Sequence, residues 1–169
     1  MGARVVQKKK KRKVIEYQRW IPRADYMKHW RIVRMWAMAR YNITMNELEI
    51  ILALYSNGLF THSEFNRVVD TYSWDRDRLQ KMIDKGFIVM WRKRQANEVA
   101  KYEVTRQMRK MCLSIYRKLD GLEAMSEHPD NSPFHHKSDT NDCWSHRQMR
   151  KQIRRFNIEN GHTVKPPLD

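Results

Sequence analysis

The sequence predicts a mainly α-helical domain interrupted by one small β-hairpin. Two capping boxes, Thr44-Met45-Asn46-Glu47 and Thr61-His62-Ser63-Glu64, each head an apolar pattern with helical spacing. In such a box the Thr hydroxyl and the Glu carboxylate satisfy backbone donors that a helix's first turn leaves without partners. Gly86 stops a third helical pattern, and the stretches on either side of Arg94-Gln95-Ala96-Asn97 are β-branched and aromatic. Thr105 then opens a long stripe, Met108, Met111, Cys112, Ile115, Leu119 and Leu122, at spacings of three and four.

Each element follows in order. Residues 1–22 form a basic arm whose run Lys8, Lys9, Lys10, Lys11, Arg12, Lys13 repels itself too strongly to fold alone. Lys9–Val14 also resembles a short nuclear import signal; lying along phosphates is the other reading of the same run. A domain is expected over 23–126. Its first helix starts near Asp25 and reaches Tyr41, with Tyr26, Trp30, Val33, Ala37 and Tyr41 on one stripe and Ile32, Met35, Trp36 and Ala39 on a second. Two apolar stripes require cover on two sides, from the C-terminal helix or from a second subunit. The second helix buries Leu48, Ile51, Leu52 and Tyr55 and ends at Asn57-Gly58, where glycine takes the left-handed closing conformation. The third is short, with Phe65, Val68 and Val69 inward, ending near Asp70–Thr71. Ser73 caps the fourth, Trp74–Lys85, whose buried stripe is Leu79, Met82 and Ile83. Strands over Phe87–Arg92 and Val99–Val104 make the hairpin, and the helix from Thr105 is expected to reach about Met125. Residues 127–142, rich in Pro, Ser, Asp, Asn and His, read as a polar linker, and 143–169 as a basic helix, roughly Cys143–Asn157, with a tail.

Helix, turn, helix, hairpin, with long helices before and after, is the order of a winged helix-turn-helix. Thr44 to Leu54, Thr61-His62-Ser63-Glu64-Phe65, Leu79 to Ile88 and Tyr102-Glu103-Val104-Thr105 together resemble the MarR family of winged-helix transcriptional regulators. The resemblance covers about residues 24–125. It implies a homodimer whose first and C-terminal helices interlock, a palindromic duplex as target, and, as in many such proteins, a small aromatic effector between the first and long helices. For the eleven methionines, core packing is the competing role. The chain departs from the family in two places. Where the family's wing carries Asp-x-Arg, this chain has Ala96 and Glu98, and residues 128–169 have no counterpart.

Charge points the same way. Thirty-four Lys/Arg against 19 Asp/Glu give a net charge of +15, an excess that suits a polyanionic partner, double-stranded DNA above all. Its distribution is uneven: residues 43–86 carry five basic against seven acidic side chains, while 87–118 carry nine against two. The helix-turn-helix is slightly acidic, and the hairpin, the next helix and the two ends hold the excess. In a helix-turn-helix the second helix enters the major groove. With Leu79, Met82 and Ile83 inward, Ser73, Trp74, Asp77, Arg78, Gln80 and Lys81 are the candidate contacts; Arg78 or Lys81 would donate to guanine and Gln80 would pair with adenine. Asp77 and Asp84 repel phosphate, and a solvated helix face is the plainer reading. Arg92, Lys93 and Arg94 of the wing and Arg147, Arg150, Lys151, Arg154 and Arg155 of the last helix are the remaining candidates, beside the arm.

Other chemistries find little support. No Gly-rich phosphate loop, Ser elbow or two-metal carboxylate cluster occurs, so no catalytic residue and no cofactor is assigned. His135, His136, Cys143 and His146 have one admissible zinc spacing but no matching Cys pair, and read better as a solvated linker. Two cysteines make no disulfide framework, and no membrane span or signal peptide is evident. An intracellular setting is expected, cytoplasmic or nucleoid-associated, or nuclear if the source is eukaryotic or a virus of eukaryotes.

Overall fold

A computed structural model describes residues 26–72, 77–95, 98–128, 131–134 and 144–162. Among them are six helices: α1 (Tyr26–Tyr41), α2 (Met45–Tyr55), α3 (His62–Tyr72), α4 (Arg78–Asp84), α5 (Arg106–Leu119) and α6 (Trp144–Glu159). Three strands, β1 (Phe60–Thr61), β2 (Ile88–Arg92) and β3 (Lys101–Val104), form an antiparallel sheet in the order β1-β3-β2. The expected mainly helical fold with a hairpin is therefore present, with one strand more than the sequence suggested. Phe60 pairs with Tyr102 and Thr61 with Lys101. Two residues are too short for a period-2 pattern to register, which is why β1 is silent in the sequence.

Both capping boxes form. The Thr44 amide and hydroxyl donate to Glu47 Oε2 at 2.9 and 2.8 Å, and the Glu47 amide returns a bond to Thr44 Oγ1. Thr61 and Glu64 repeat the arrangement at 2.7 and 2.9 Å. The core joins Val33, Trp36 and Ala37 of α1 to Leu48, Ile50, Ile51 and Leu54 of α2 and to Met108, Met111, Cys112 and Ile115 of α5. Phe60, Phe65, Met82 and Ile88 continue it toward the hairpin. Met108 and Met111 are fully packed, so core filling accounts for them.

The fourth helix starts later than expected. Asp77 lies at φ −88°, ψ 6°, outside helical geometry, and its carbonyl accepts the first helical bond, from the Lys81 amide at 3.1 Å. α3 itself runs on to Tyr72, one residue past its expected end. Ser73 and Trp74 lie outside the described residues.

The fifth helix stops earlier than expected, at Leu119 rather than near Met125. Gly121 takes φ +71°, its amide donates to the Lys118 carbonyl at 3.0 Å, and Leu122 donates to Arg117 at 2.8 Å. This closing turn leaves Leu122, assigned to the helix's apolar side, exposed. A Cβ at residue 121 would meet Asn160 Oδ1 at 2.7 Å, so a larger residue there would also have to displace the end of that side chain. Lys118 is buried beneath the turn. It donates to Ser114 Oγ at 2.7 Å, pairs with Glu123 and lies 4.3 Å from the Trp36 ring centroid. Burial pushes its pKa down, and Glu123 opposes that shift.

The segment after α5 is not simply a solvated linker. Met125, Ser132 and Phe134 are buried. Asn157 of α6 fastens the segment: its Oδ1 accepts from the Met125 amide at 2.9 Å, and its Nδ2 donates to the Met125 carbonyl at 2.9 Å and to Glu127 at 2.8 Å. α6 in turn packs on α1. Ile153 and Phe156 enter the core, Phe156 meets the His29 ring edge-on at 5.0 Å, and Glu159 pairs with Lys28 at 3.0 Å. α6 thus covers α1 around Lys28 and His29, and on the second stripe Trp36 is buried and Ile32 half-buried. Met35 and Ala39, expected on that stripe, are exposed.

Candidate nucleic-acid interface

The short helix α4 buries Leu79 and Met82 and exposes Asp77, Gln80, Lys81 and Asp84; Arg78 is half-buried. Its far end is anchored. Lys85 donates to Glu47 Oε1 at 2.6 Å, and its ammonium lies 6.0 Å from the Phe87 ring centroid. Burial alone would push the Glu47 carboxyl up, but the bonds from Lys85 and Thr44 together hold it below the usual carboxylate range. One buried carboxylate therefore caps α2 and ties down the end of α4. Gly86, at φ +72°, then turns the chain into β2, its amide donating to the Ile83 carbonyl at 2.8 Å. Gln80 donates through Nε2 to Asp84 at 2.7 Å. Its amide is thereby oriented, with Oε1 as the group left to accept.

The hairpin closes by a mutual backbone pair between Gln95 and Glu98, at 3.1 and 2.5 Å. Arg92 pairs with Glu98 at 2.5 Å. Glu98, one of the two positions where the sequence lacks Asp-x-Arg, thus pairs with Arg92 across the hairpin. Arg92 is half-buried and engaged inside the hairpin, while Lys93 and Arg94 are exposed. Of the three wing residues picked from the sequence, two face solvent and one stiffens the scaffold.

The basic face of α6 divides similarly. Arg147 and Lys151 are exposed. Arg150 donates to the Phe134 carbonyl at 2.9 Å, Arg154 reaches Glu127 at 3.3 Å, and Arg155 pairs with Glu159 at 2.8 Å. Arg154 and Arg155 remain well exposed beyond those pairs, so all but Arg150 still present charge outward. Lys8, Lys9, Lys10, Lys11, Arg12 and Lys13 lie outside the described residues.

One cationic surface was missed by the sequence reading. On α5, Arg106, Lys110, Leu113 and Arg117 are exposed, and the spacing of four, three and four lines them up opposite the buried Met108–Met111–Ile115 stripe. Arg109 beside them pairs with Glu103 at 2.7 Å. The same spacing rule that found the core would have found this face.

A shallow open depression of about 330 Å³, lined by Glu49, Leu52, Ala53 and Tyr116, lies between α2 and α5. It is not the methionine-lined site imagined between α1 and α5. Among the described residues no group of three or more His, Cys, Asp or Glu is placed to hold a metal. His146 packs edge-on against Phe134 at 5.8 Å, and His135, His136 and Cys143 lie outside the described residues. Burial pushes the Cys112 thiol up to about 12. Among the described residues no helix is long and apolar enough to cross a membrane. Comparison with family models, with curated proteins and with solved structures returned no match.

Proposed function

We propose that the protein binds double-stranded DNA through a winged helix-turn-helix, as a dimeric transcriptional regulator of the MarR type. The observation that carries the reading is the pairing of a short exposed helix with an adjacent hairpin. α4 packs on β2, presents Gln80 and Lys81 outward, and is clamped at its end by the Glu47–Lys85 pair. In this reading α4 enters the major groove, Lys93 and Arg94 hold flanking phosphates, and the basic arm and α6 add sequence-independent affinity.

A second reading is favoured by one specific observation. Gln80 is bonded to Asp84, and Lys85 and Arg92 are engaged internally. That leaves few groups to read bases. A structural or assembly module, part of a nucleoprotein or virion, would bind nucleic acid nonspecifically through its basic arms and exposed cations. Fluorescence anisotropy against salt separates the two. Removing residues 1–13 lowers affinity for every duplex alike and flattens the salt slope under both readings. Lys81→Ala reduces affinity for a preferred duplex more than for a random one only if α4 reads sequence; equal losses favour the assembly module. No duplex binding by the full chain contradicts both.

A further inference from the structure

β2 is an edge strand of the sheet, and it carries three consecutive exposed apolar side chains: Val89, Met90 and Trp91 are 42%, 42% and 53% exposed. Edge strands usually carry charge or proline to prevent sticking. Nothing in the core explains this strip, because Ile88 and Val104 already seal the base of the hairpin. The register explains where Trp91 stands. Met90 faces Tyr102 and Arg92 faces Lys101, so Trp91 is the extra residue of a bulge. A bulge re-aims the side chain it carries. Arg92 lies 5.8 Å from the Trp91 ring centroid and is fixed by Glu98 at 2.5 Å. The braced guanidinium thus lies over one face of the indole, and Lys93 and Arg94 follow directly, both exposed.

An exposed aromatic plane next to two outward cations, on a chain of net charge +15, matches a ligand with a π-face beside phosphates. Bases inside a duplex have both faces covered by their neighbours and must be unstacked first, whereas an unpaired base offers its face directly. We propose that Trp91 is a stacking platform for an unpaired nucleobase at the end or junction of a duplex, with Lys93 and Arg94 on the adjoining phosphates. This rests on the nucleic-acid reading above and adds a preferred structure to it.

The test compares a blunt duplex with the same duplex bearing a short single-stranded tail, its first unpaired base replaced by 2-aminopurine. At near-physiological salt the tail raises affinity about tenfold, a typical return for stacking one base on an aromatic side chain. Binding also quenches the 2-aminopurine. Trp91→Ala brings the tailed probe to the blunt probe's affinity and abolishes the quenching, while Trp91→Phe keeps part of both. Trp91 is exposed, so both variants fold, as circular dichroism checks. Equal affinity of the unaltered protein for the two probes overturns the stacking platform and leaves duplex binding standing. Failure to bind either probe overturns both. If Trp91→Ala changes the sedimentation coefficient but not the preference for a tail, the strip is a contact between chains and the proposal falls.

Discussion

Replacing Glu47 with Ala tests how α4 is held. Glu47 is 3% exposed and accepts from Thr44 N, Thr44 Oγ1 and Lys85 Nζ. Loss of the cap costs about 1 kcal/mol. Loss of the Lys85 bond adds about 1 kcal/mol more, below the usual return for a charged hydrogen bond because the lysine is half exposed and water replaces its partner. The total of about 2 kcal/mol lowers the melting temperature by about 4–8 °C for a chain of this size. Lys85→Ala leaves the cap intact and costs about 1 kcal/mol. In the double variant the Lys85 term is lost only once, so a double-mutant cycle in urea gives a coupling of about 1 kcal/mol, above the few tenths expected of independent sites. Lys85→Ala also weakens duplex binding in this account, through a loosened α4. Additive effects of the two substitutions, or a melting temperature unmoved by Glu47→Ala, would refute the clamp.

Three other outcomes are expected. Asn157→Ala strips the Met125 amide and carbonyl of their buried partners and costs about 2–4 kcal/mol, with amide exchange accelerating at Met125 and along α6 before it does in α2; uniform acceleration would mean the strap is not a separate unit. Glu47, Glu64, Glu123 and Glu159 all sit below the ordinary carboxylate value of 4.5, Glu159 at about 2 because Arg155 and Lys28 donate to it. Their contribution is complete above pH 4.5 and is lost as the pH falls from 4.5 toward about 2, so the urea midpoint should hold level near neutrality and drop in that window; a midpoint level down to pH 3 speaks against these pairs. Gly121→Ala must adopt φ +71° and displace Asn160, and is expected to cost more than about 1 kcal/mol by urea unfolding, against little change for a substitution at exposed Lys110.

Much of the fold was legible because local rules and tertiary needs agree in it. Thr44 and Thr61 are caps whose partners lie three residues away, and both boxes closed as the sequence implied. The stripes of α2 and α5 needed only the 3.6-residue period. What the sequence concealed depends on partners far along the chain. Lys118 reads as a surface lysine until Glu123, Ser114 and the Trp36 ring surround it. Asn157 reads as polar helix surface until it meets Met125, 32 residues away. Gly121 was readable as a helix stop, but the apolar Leu122 beside it extended the pattern and hid it. At the candidate interface, helical spacing placed Gln80 and Lys81 outward correctly. It could not show that Lys85 and Arg92 are held by Glu47 and Glu98, because ion pairs across 38 and six residues leave no periodic trace. The charge excess of residues 87–118 is plain in the sequence, and the same period gathers Arg106, Lys110 and Arg117 onto one face of α5.

In the proposed function α4 reads duplex sequence. Selection of bound sequences from a random duplex pool at near-physiological salt tests it most directly. The expected result is enrichment of an inverted repeat, preferred over random duplex by about 4 kcal/mol or more, with the enrichment lost in Lys81→Ala. A pool that returns unenriched, with binding that falls steeply with salt, would contradict sequence reading and leave the assembly module as the function.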